Sequence, residues 1–464
     1  MLVELGSLVL PIALLIEIAS GAVILGLPER TDTCTSLSKG YICHKDISRS
    51  WGAYSPYHAL TSPYKDSALP SECKVTFAQV LSRHASRYPT RNAGDKLKAT
   101  LDKIQSKAKS YSPKTEFIKK FEYDLQEGYD MLTEFGKGEM YRSGEVFFHR
   151  YKHLAKEEEP FVRVAGQQRV VDSGNIFMKG FTHAKKKYTG ADKVSTPEPV
   201  IIYEGEKFKN VLDHSACKSF ETGKFSQTYK KPMDEYAAVF TPPIIERLKG
   251  EMPGSEIDAH DVESLMGLCS FYTVVKGVPL SKFCHLFTPE EFKQYNYFRT
   301  LGFYYRFGPG NELGPAQGIG FVNELIARLT NSKVKDYTTS NATTVGPLDK
   351  KIYADFSHDT TMITIFSAMQ LFDGLKPLNT KSIDAEDRFN AAELVPFASR
   401  MYVEKLKCEG EKDDLVRVLI NERVMKLKCK EKKFGGCTVK DFVGGLEFAR
   451  TGGNWVSCGP THHA

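Results

Sequence analysis

The sequence predicts an α/β sheet domain with a smaller helical subdomain inserted into it, and three stretches carry that expectation. KVTFAQVLS (74–82) is rich in β-formers and stops at Arg83; PFVRVAG (160–166) has Arg163 in its path. In KIYADFSHD (351–359), Ile352, Ala354 and Phe356 alternate before Ser357, His358 and Asp359. Helical spacing follows the first and third: Leu97, Leu101 and Ile104 after one, Met362, Phe366 and Met369 after the other. Strand followed by helix, repeated, argues for an α/β sheet. Ligands of such sheets sit beyond the carboxyl ends of the strands, where Arg83, His84, His358 and Asp359 all fall.

The stretches between are mainly helical. Val262, Leu265, Met266 and Cys269 share one face, as do Phe321, Leu325, Ile326 and Leu329. The expected body takes in roughly 34–95, 160–215 and 335–464, and the helical subdomain roughly 96–159 and 216–334. Near the C terminus Val416, Val418 and Ile420 alternate and NER (421–423) can turn the chain, so a hairpin is expected there. The loop GPGNELGPAQGIG (308–320) has the wrong glycine spacing for a nucleotide cradle, two prolines and no clear strand before it, and reads as structural.

Composition narrows the function classes. The chain has 464 residues, 63 Lys and Arg against 57 Asp and Glu, and a balance of +6. That is small for its length, so nucleic acid is not an expected partner. The densest basic run, KLKCKEKK (426–433), reads as a solvated strand edge or loop. The only long apolar segment, 5–27, reads as a targeting signal, with Ala19, Ser20 and Gly21 offering small residues for cleavage. A retained anchor is the competing reading; Glu17 would then cost about 2.5–3.5 kcal/mol or more at a bilayer centre. No Lys or Arg precedes Arg30, which counts against a signal peptide. With cleavage, the mature chain is expected to be secreted or held in the wall or periplasmic space, without stable membrane association. The ten cysteines contain no CxxC pair, and their even number behind a targeting segment favours disulfides. Asn341 opens an N-A-T sequon, a glycan site in a secreted chain.

The stretch LSRHASRYPT (81–90) gathers Arg83, His84 and Arg87 within five positions. Phosphoryl transfer needs an in-line nucleophile, fixed positive charge around the equatorial oxygens and a proton for the departing alkoxide. His84 can attack phosphorus through one ring nitrogen while a backbone acceptor holds the other. Arg83 and Arg87 can bracket the phosphate with their planar forks, and their charge lowers the pKa expected for His84. His358 can bind a phosphate oxygen and Asp359 can deliver the proton. Asp359 can also be read as the N-cap of the following helix.

These residues resemble those of the histidine acid phosphatases, and specifically their fungal phytase branch. LSRHASRYPT is similar to that family's RHGxRxP motif and FSHDTT (356–361) to its HD motif. Further likeness runs through RSWGAYSPY (49–57), LTEFGKGEMYRSG (132–144), PFVRVAGQQRVVDSG (160–174), LGPAQGIGFVNELIARLT (313–330) and GNWVSC (453–458). The resemblance implies a histidine phosphatase-like α/β domain with a smaller α domain, working without metal or other cofactor. It implies that His84 is the nucleophile and Asp359 the proton donor, with Arg83, Arg87, Arg163 and His358 around the scissile phosphate. It also implies five bridges: Cys34–Cys43, Cys73–Cys408, Cys217–Cys458, Cys269–Cys284 and Cys429–Cys437. The residues alone leave roughly nine hundred pairings open.

The implied function is a secreted acid phosphomonoesterase acting on small phosphate monoesters, phytate (myo-inositol hexakisphosphate) among them, through a phosphohistidine. Two departures from the family pattern keep alternatives open. Ala85 stands where the family usually has glycine; a backbone needing positive φ would suffer from the added methyl, leaving a catalytically impaired phosphate-binding protein. Gly302 and Phe303 align where filamentous-fungal phytases often carry two lysines, which leaves a broad-specificity acid phosphatase with little phytase activity.

Overall fold

The computed structural model describes residues 34–62, 66–191, 193–277, 279–384 and 388–459. The apolar segment 5–27 lies outside them. In chain order the main sheet uses β1 (Cys73–Arg83), β2 (Phe161–Ala165), β3 (Val200–Ile202), β4 (Ile352–Ser357), β5 (Arg400–Cys408), β6 (Leu415–Ile420), β7 (Arg423–Val424) and β8 (Cys437–Thr438). Their lateral order is β8-β6-β5-β1-β4-β2-β3, with β7 pairing to β6. The half running β1-β4-β2-β3 is parallel and the half beyond β1 is antiparallel. Every residue of β4 is buried, as expected for a central parallel strand covered on both faces.

The register between β1 and β4 creates the site. Arg83 pairs with Ser357, so the two strands end side by side and the next residues, His84 and His358, leave the sheet together. The expected C-terminal hairpin is β6–β7: Asn421 and Glu422, with φ of 47° and 71°, supply the two left-handed positions of a tight turn. β6 departs from the half-exposed alternation read in the sequence. All of it is buried, and Arg417 is accommodated by its ion pair with Glu404 of β5, 2.5 Å away.

The principal helices are α1 (Arg91–Lys107), α2 (Glu134–Arg150), α3 (Gln168–Thr189), α4 (Lys230–Glu251), α5 (Ala259–Lys276), α6 (Pro289–Arg306), α7 (Ile319–Thr330) and α8 (Asp359–Ala368). Their starts follow from local chemistry. The Thr90 side chain accepts from Ala93 N to cap α1, and reciprocal capping boxes open α5 (Asp258 with Asp261) and α6 (Thr288 with Glu291). Helices α2 and α3 approach backbone to backbone because Gly144 faces Phe177 O, where a Cβ would come within 2.0 Å. Helices α4, α5 and α6 pack on one another, and α5 also rests on α1 and α2. Buried residues on α5 therefore run almost all round it rather than along the single face that its spacing suggested.

The ten cysteines pair as the five bridges implied by the resemblance. Cys73–Cys408 ties β1 to β5 across 335 residues and Cys217–Cys458 closes 241. In the chain-entropy picture each of these long closures restricts the unfolded chain by about 5.5–6 kcal/mol. The basic run at 426–433 is largely exposed loop, as expected. No helix of the described residues is long and apolar enough to cross a membrane.

Candidate active site

His84 follows directly from β1. Its N–H donates to Ser357 O (3.1 Å) and its carbonyl accepts from Ala398 N (3.0 Å), so the backbone is held on both sides. Nδ1 lies 3.0 Å from Ala85 O, which can only accept; the ring proton therefore sits on Nδ1 and the lone pair on Nε2. The His84 and His358 rings stand edge to face with centroids 5.8 Å apart. Burial first, then the charges of Arg83, Arg169, Arg87 and His358, holds the His84 pKa well below that of an ordinary imidazole. Burial and these charges thus favour the neutral form of the ring.

Three arginines surround this ring. Arg83 is fully buried; its Nη1 donates to Ala53 O and to Val395 O (2.8 Å), and its guanidinium lies 4.4 Å from the Phe397 ring centroid. Arg87 donates through Nη1 to Tyr88 O (2.8 Å). Arg169, in the first turn of α3, reaches Asp130 at 3.3 Å. On each of the three, Nε is a buried donor with no hydrogen-bond partner, and so is Nη2 of Arg83, which makes an ion-pair contact rather than an aligned hydrogen bond. Burial pushes both Arg83 and Arg169 down to about 10, with Arg87 adding repulsion to each, so both remain cationic in acid. Buried donors left without acceptors on three neighbouring cations match the forked oxygens of a phosphate.

Arg163 is not brought to this cluster. It sits in the middle of β2, in register with Asp355 of β4, and its side chain is consumed there. Nε and Nη2 grip Asp355 at 2.7 and 3.3 Å, while Nη1 donates to Glu324 (2.6 Å) and Thr344 O (3.1 Å). Arg328 completes that buried network, 2.8 Å from Asp355. The expectation that Arg163 meets the scissile phosphate is therefore corrected: a mid-strand side chain cannot reach the strand ends, whereas Arg169, six positions later, opens the following helix.

Asp359 is the first residue of α8, and His358 holds the N-cap position without a side-chain cap bond, so the N-cap reading of Asp359 is also corrected. Its Oδ1 accepts from Thr360 N (2.9 Å) and Oδ2 lies 2.7 Å from Arg83 Nη2. Burial alone would raise this carboxyl; the charges of Arg83, Arg87 and His358 and the Thr360 N–H outweigh it and hold the pKa below the usual carboxylate range. His358 Nε2 donates to Glu204 Oε1 at 2.9 Å. Glu204 also accepts from the backbone and side chain of Gln167; burial would raise its pKa, but the bond and charge of His358, and then the Gln167 bonds, hold it below the ordinary value.

Behind the loop, Ala85 N donates to Ser173 Oγ (3.1 Å) and Ser86 N to Glu139 Oε2 (3.1 Å). Glu139 accepts from Tyr57 N as well (3.0 Å); burial pushes it up to about 7 despite those bonds. Ala85 is buried and is not among the non-glycine residues with positive φ, so its methyl meets no left-handed strain. Phe303 is buried against Phe307 (ring centroids 6.1 Å) and Gly302 faces Met233, so neither brings charge to the surroundings. Asn341 is half-buried and opens an exposed turn, its Oδ1 accepting from Thr343 N (3.0 Å).

Sequence reasoning missed Arg169, Glu204 and Glu139 as parts of this site. Arg169 lay inside the quoted stretch PFVRVAGQQRVVDSG, and its position at a helix start was the available signal. Glu139 also lay inside a quoted stretch, LTEFGKGEMYRSG, but nothing there marked it as facing His84, and Glu204 is a single carboxylate far from His84 in the chain with no local pattern around it.

Comparison with known proteins agrees with this geometry. Residues 74–421 match the Histidine phosphatase superfamily (branch 2). Phytase A of Aspergillus oryzae is 44% identical over 468 aligned positions, covering 97% of this chain and 99% of that one. Phytase A of Aspergillus fumigatus is 44% identical, covering 92% and 94%. Among solved structures, the phytase from D. castellii shares the fold with a TM-score of 0.76 at 24% identity, covering 89% of this chain and 87% of that one. The chain belongs to the histidine phosphatase superfamily, branch 2.

Proposed function

We propose that the protein is a secreted acid phosphomonoesterase whose substrates include phytate, and that it works through a phosphohistidine on His84. In the first step Nε2 attacks phosphorus opposite the ester oxygen; the N–P bond forms as the P–O bond breaks, and its electron pair stays on the departing oxygen. Asp359 supplies the proton that oxygen needs. In the second step water attacks phosphorus, the N–P bond breaks back to neutral imidazole, and the Asp359 carboxylate takes the water proton. Arg83, Arg87 and Arg169 offer fixed donors to the equatorial oxygens in both steps, and His358 offers one more once phosphate displaces Glu204.

One observation carries this reading: the Nε2 lone pair of a fully buried, neutral His84 lies among arginines whose Nε donors are unpaired. Asp359 begins as a carboxylate held by Arg83, and a bound phosphate dianion competes for that arginine and raises the acid's pKa, as proton donation requires. The phytate assignment rests on the Phytase A relatives, which carry that name over nearly their whole length. A second reading, a broad phosphatase with little action on phytate, is favoured by the uncharged pair Gly302 and Phe303. Phosphate release from phytate, glycerophosphate and p-nitrophenyl phosphate at mildly acidic pH separates the two. Turnover of phytate at least as efficient as that of the simple esters supports the first, simple esters alone support the second, and no turnover of any contradicts both.

A further inference from the structure

Arg306 closes α6 one turn beyond Gly302 and Phe303, and among the described residues its side chain has neither a carboxylate partner nor a hydrogen bond. It is held by rings instead: its guanidinium lies 5.1 Å from the centroid of Tyr229 and 4.9 Å from that of Phe307. Phe307 in turn packs on the His214 ring, 5.3 Å between centroids. His214 leads directly to the chemistry, because Nε2 lies 3.1 Å from the hydroxyl of Thr360, the residue after Asp359. Its Nδ1 meets Glu221 Oε1 at 2.5 Å.

Burial by itself would push His214 down, but the hydrogen bond and charge of Glu221, with Asp213, hold its pKa above the ordinary value; Arg306 opposes them. As an imidazolium the ring donates from both nitrogens, to Glu221 and to Thr360, so Thr360 accepts there and keeps its own hydroxyl hydrogen. Glu221 pairs directly with His214, whereas Arg306 makes no ion pair among the described residues and is held on its aromatic ledge alone.

We propose that Arg306, seated on Phe307 and Tyr229, anchors a second phosphate of a polyphosphorylated ester, with the Thr360 hydroxyl bridging toward the phosphate under attack. The proposal rests on the reading of the site as one for phosphate esters and names what makes it favour esters with several phosphates. A planar fork on an aromatic ledge suits this task, since it is rigid, weakly hydrated and permanently charged.

The test is competitive inhibition of p-nitrophenyl phosphate hydrolysis by the full chain, with myo-inositol hexasulfate as the polyanion and inorganic phosphate as the single-site control. Sulfate esters stay ionised, so the ligand's own titration does not enter. In Arg306→Ala the inhibition constant for hexasulfate is expected to rise about tenfold, the loss of one charge-assisted contact, while that for phosphate stays unchanged. Arg306→Lys should fall between, since a point charge keeps attraction but not the fork. Unchanged hexasulfate inhibition in Arg306→Ala overturns the proposal. An equal rise for hexasulfate and phosphate also overturns it, because the substitution would then have disturbed the shared site. Arg306→Gln repeats the measurement if the alanine variant folds poorly. Failure of the enzyme to turn over phytate would count against the substrate reading alone, since the inhibition constants decide this proposal independently.

Discussion

Arg163, within the sheet, and the arginines beyond the strand ends use their donors differently. In the middle of β2, Arg163 grips Asp355 of β4 and Glu324 of α7, and its Nε, Nη1 and Nη2 all find acceptors, while Arg328 of α7 joins the same carboxylates and leaves only Nε unpaired. Burial tends to discharge Arg163, but the two carboxylates outweigh it and raise its pKa. Beyond the strand ends, Arg83, Arg87 and Arg169 crowd one another and keep Nε donors with no acceptor, and burial lowers two of them to about 10. A satisfied buried charge builds the fold, whereas an unsatisfied one is an anion site held ready.

Substitutions can break that contrast. The largest effect is expected outside the arginines, at the acid they hold: Asp359→Asn should slow phytate or glycerophosphate hydrolysis by about 10²–10⁴ and nitrophenyl phosphate hydrolysis far less, because nitrophenolate leaves without a proton. Steady-state kinetics on both esters check it, and equal losses would remove Asp359 as donor. Next, Arg163→Met should destabilise the chain by about 3–5 kcal/mol, seen in denaturant unfolding, since it strands Glu324 and weakens the hold on Asp355. The folded fraction should keep kcat/KM near the parent value. Arg169→Ala should do the reverse, lowering kcat/KM by about 10²–10³ with little change in unfolding. If the two variants traded places, the division into structural and catalytic arginines would be wrong.

A smaller effect concerns pH. Glu139 is raised from 4.5 to about 7 by burial, so between those values the folded chain binds a proton that the unfolded chain has released. Its contribution to stability is complete below about pH 4.5 and is lost as pH rises through about 7, a fall on the order of 3 kcal/mol. Thermal unfolding across that range should show the decline, and Glu139→Gln should flatten it. The smallest effect is expected of Ala85→Gly: with no left-handed φ to relieve, activity should hold and stability should drop by roughly 0.5–1 kcal/mol through added chain freedom. A large gain in activity would show that the methyl obstructs phosphate.

How much of this was legible before folding depends on whether the signal was local. β1 and β4 alternate or run apolar and then stop at charged residues, so the placement of Arg83, His84, His358 and Asp359 at strand ends could be read from the chain. Arg163 and Arg169 share one short stretch, and choosing between them required knowing where β2 ends and that Asp355 stands opposite Arg163. Glu204 and Glu139 reach the site only through tertiary packing, from the segment after β3 and from α2. The burial of Arg417 was hidden for the same reason: its partner Glu404 belongs to a neighbouring strand.

The measurement closest to the centre of this account is rapid quenching of the enzyme in alkaline denaturant during turnover of a phosphate-labelled ester, followed by mapping of the labelled peptide at alkaline pH. The expected result is label on the peptide carrying His84, stable in base and labile in acid, and none in His84→Ala. Full turnover by His84→Ala, or label on another residue, would contradict it.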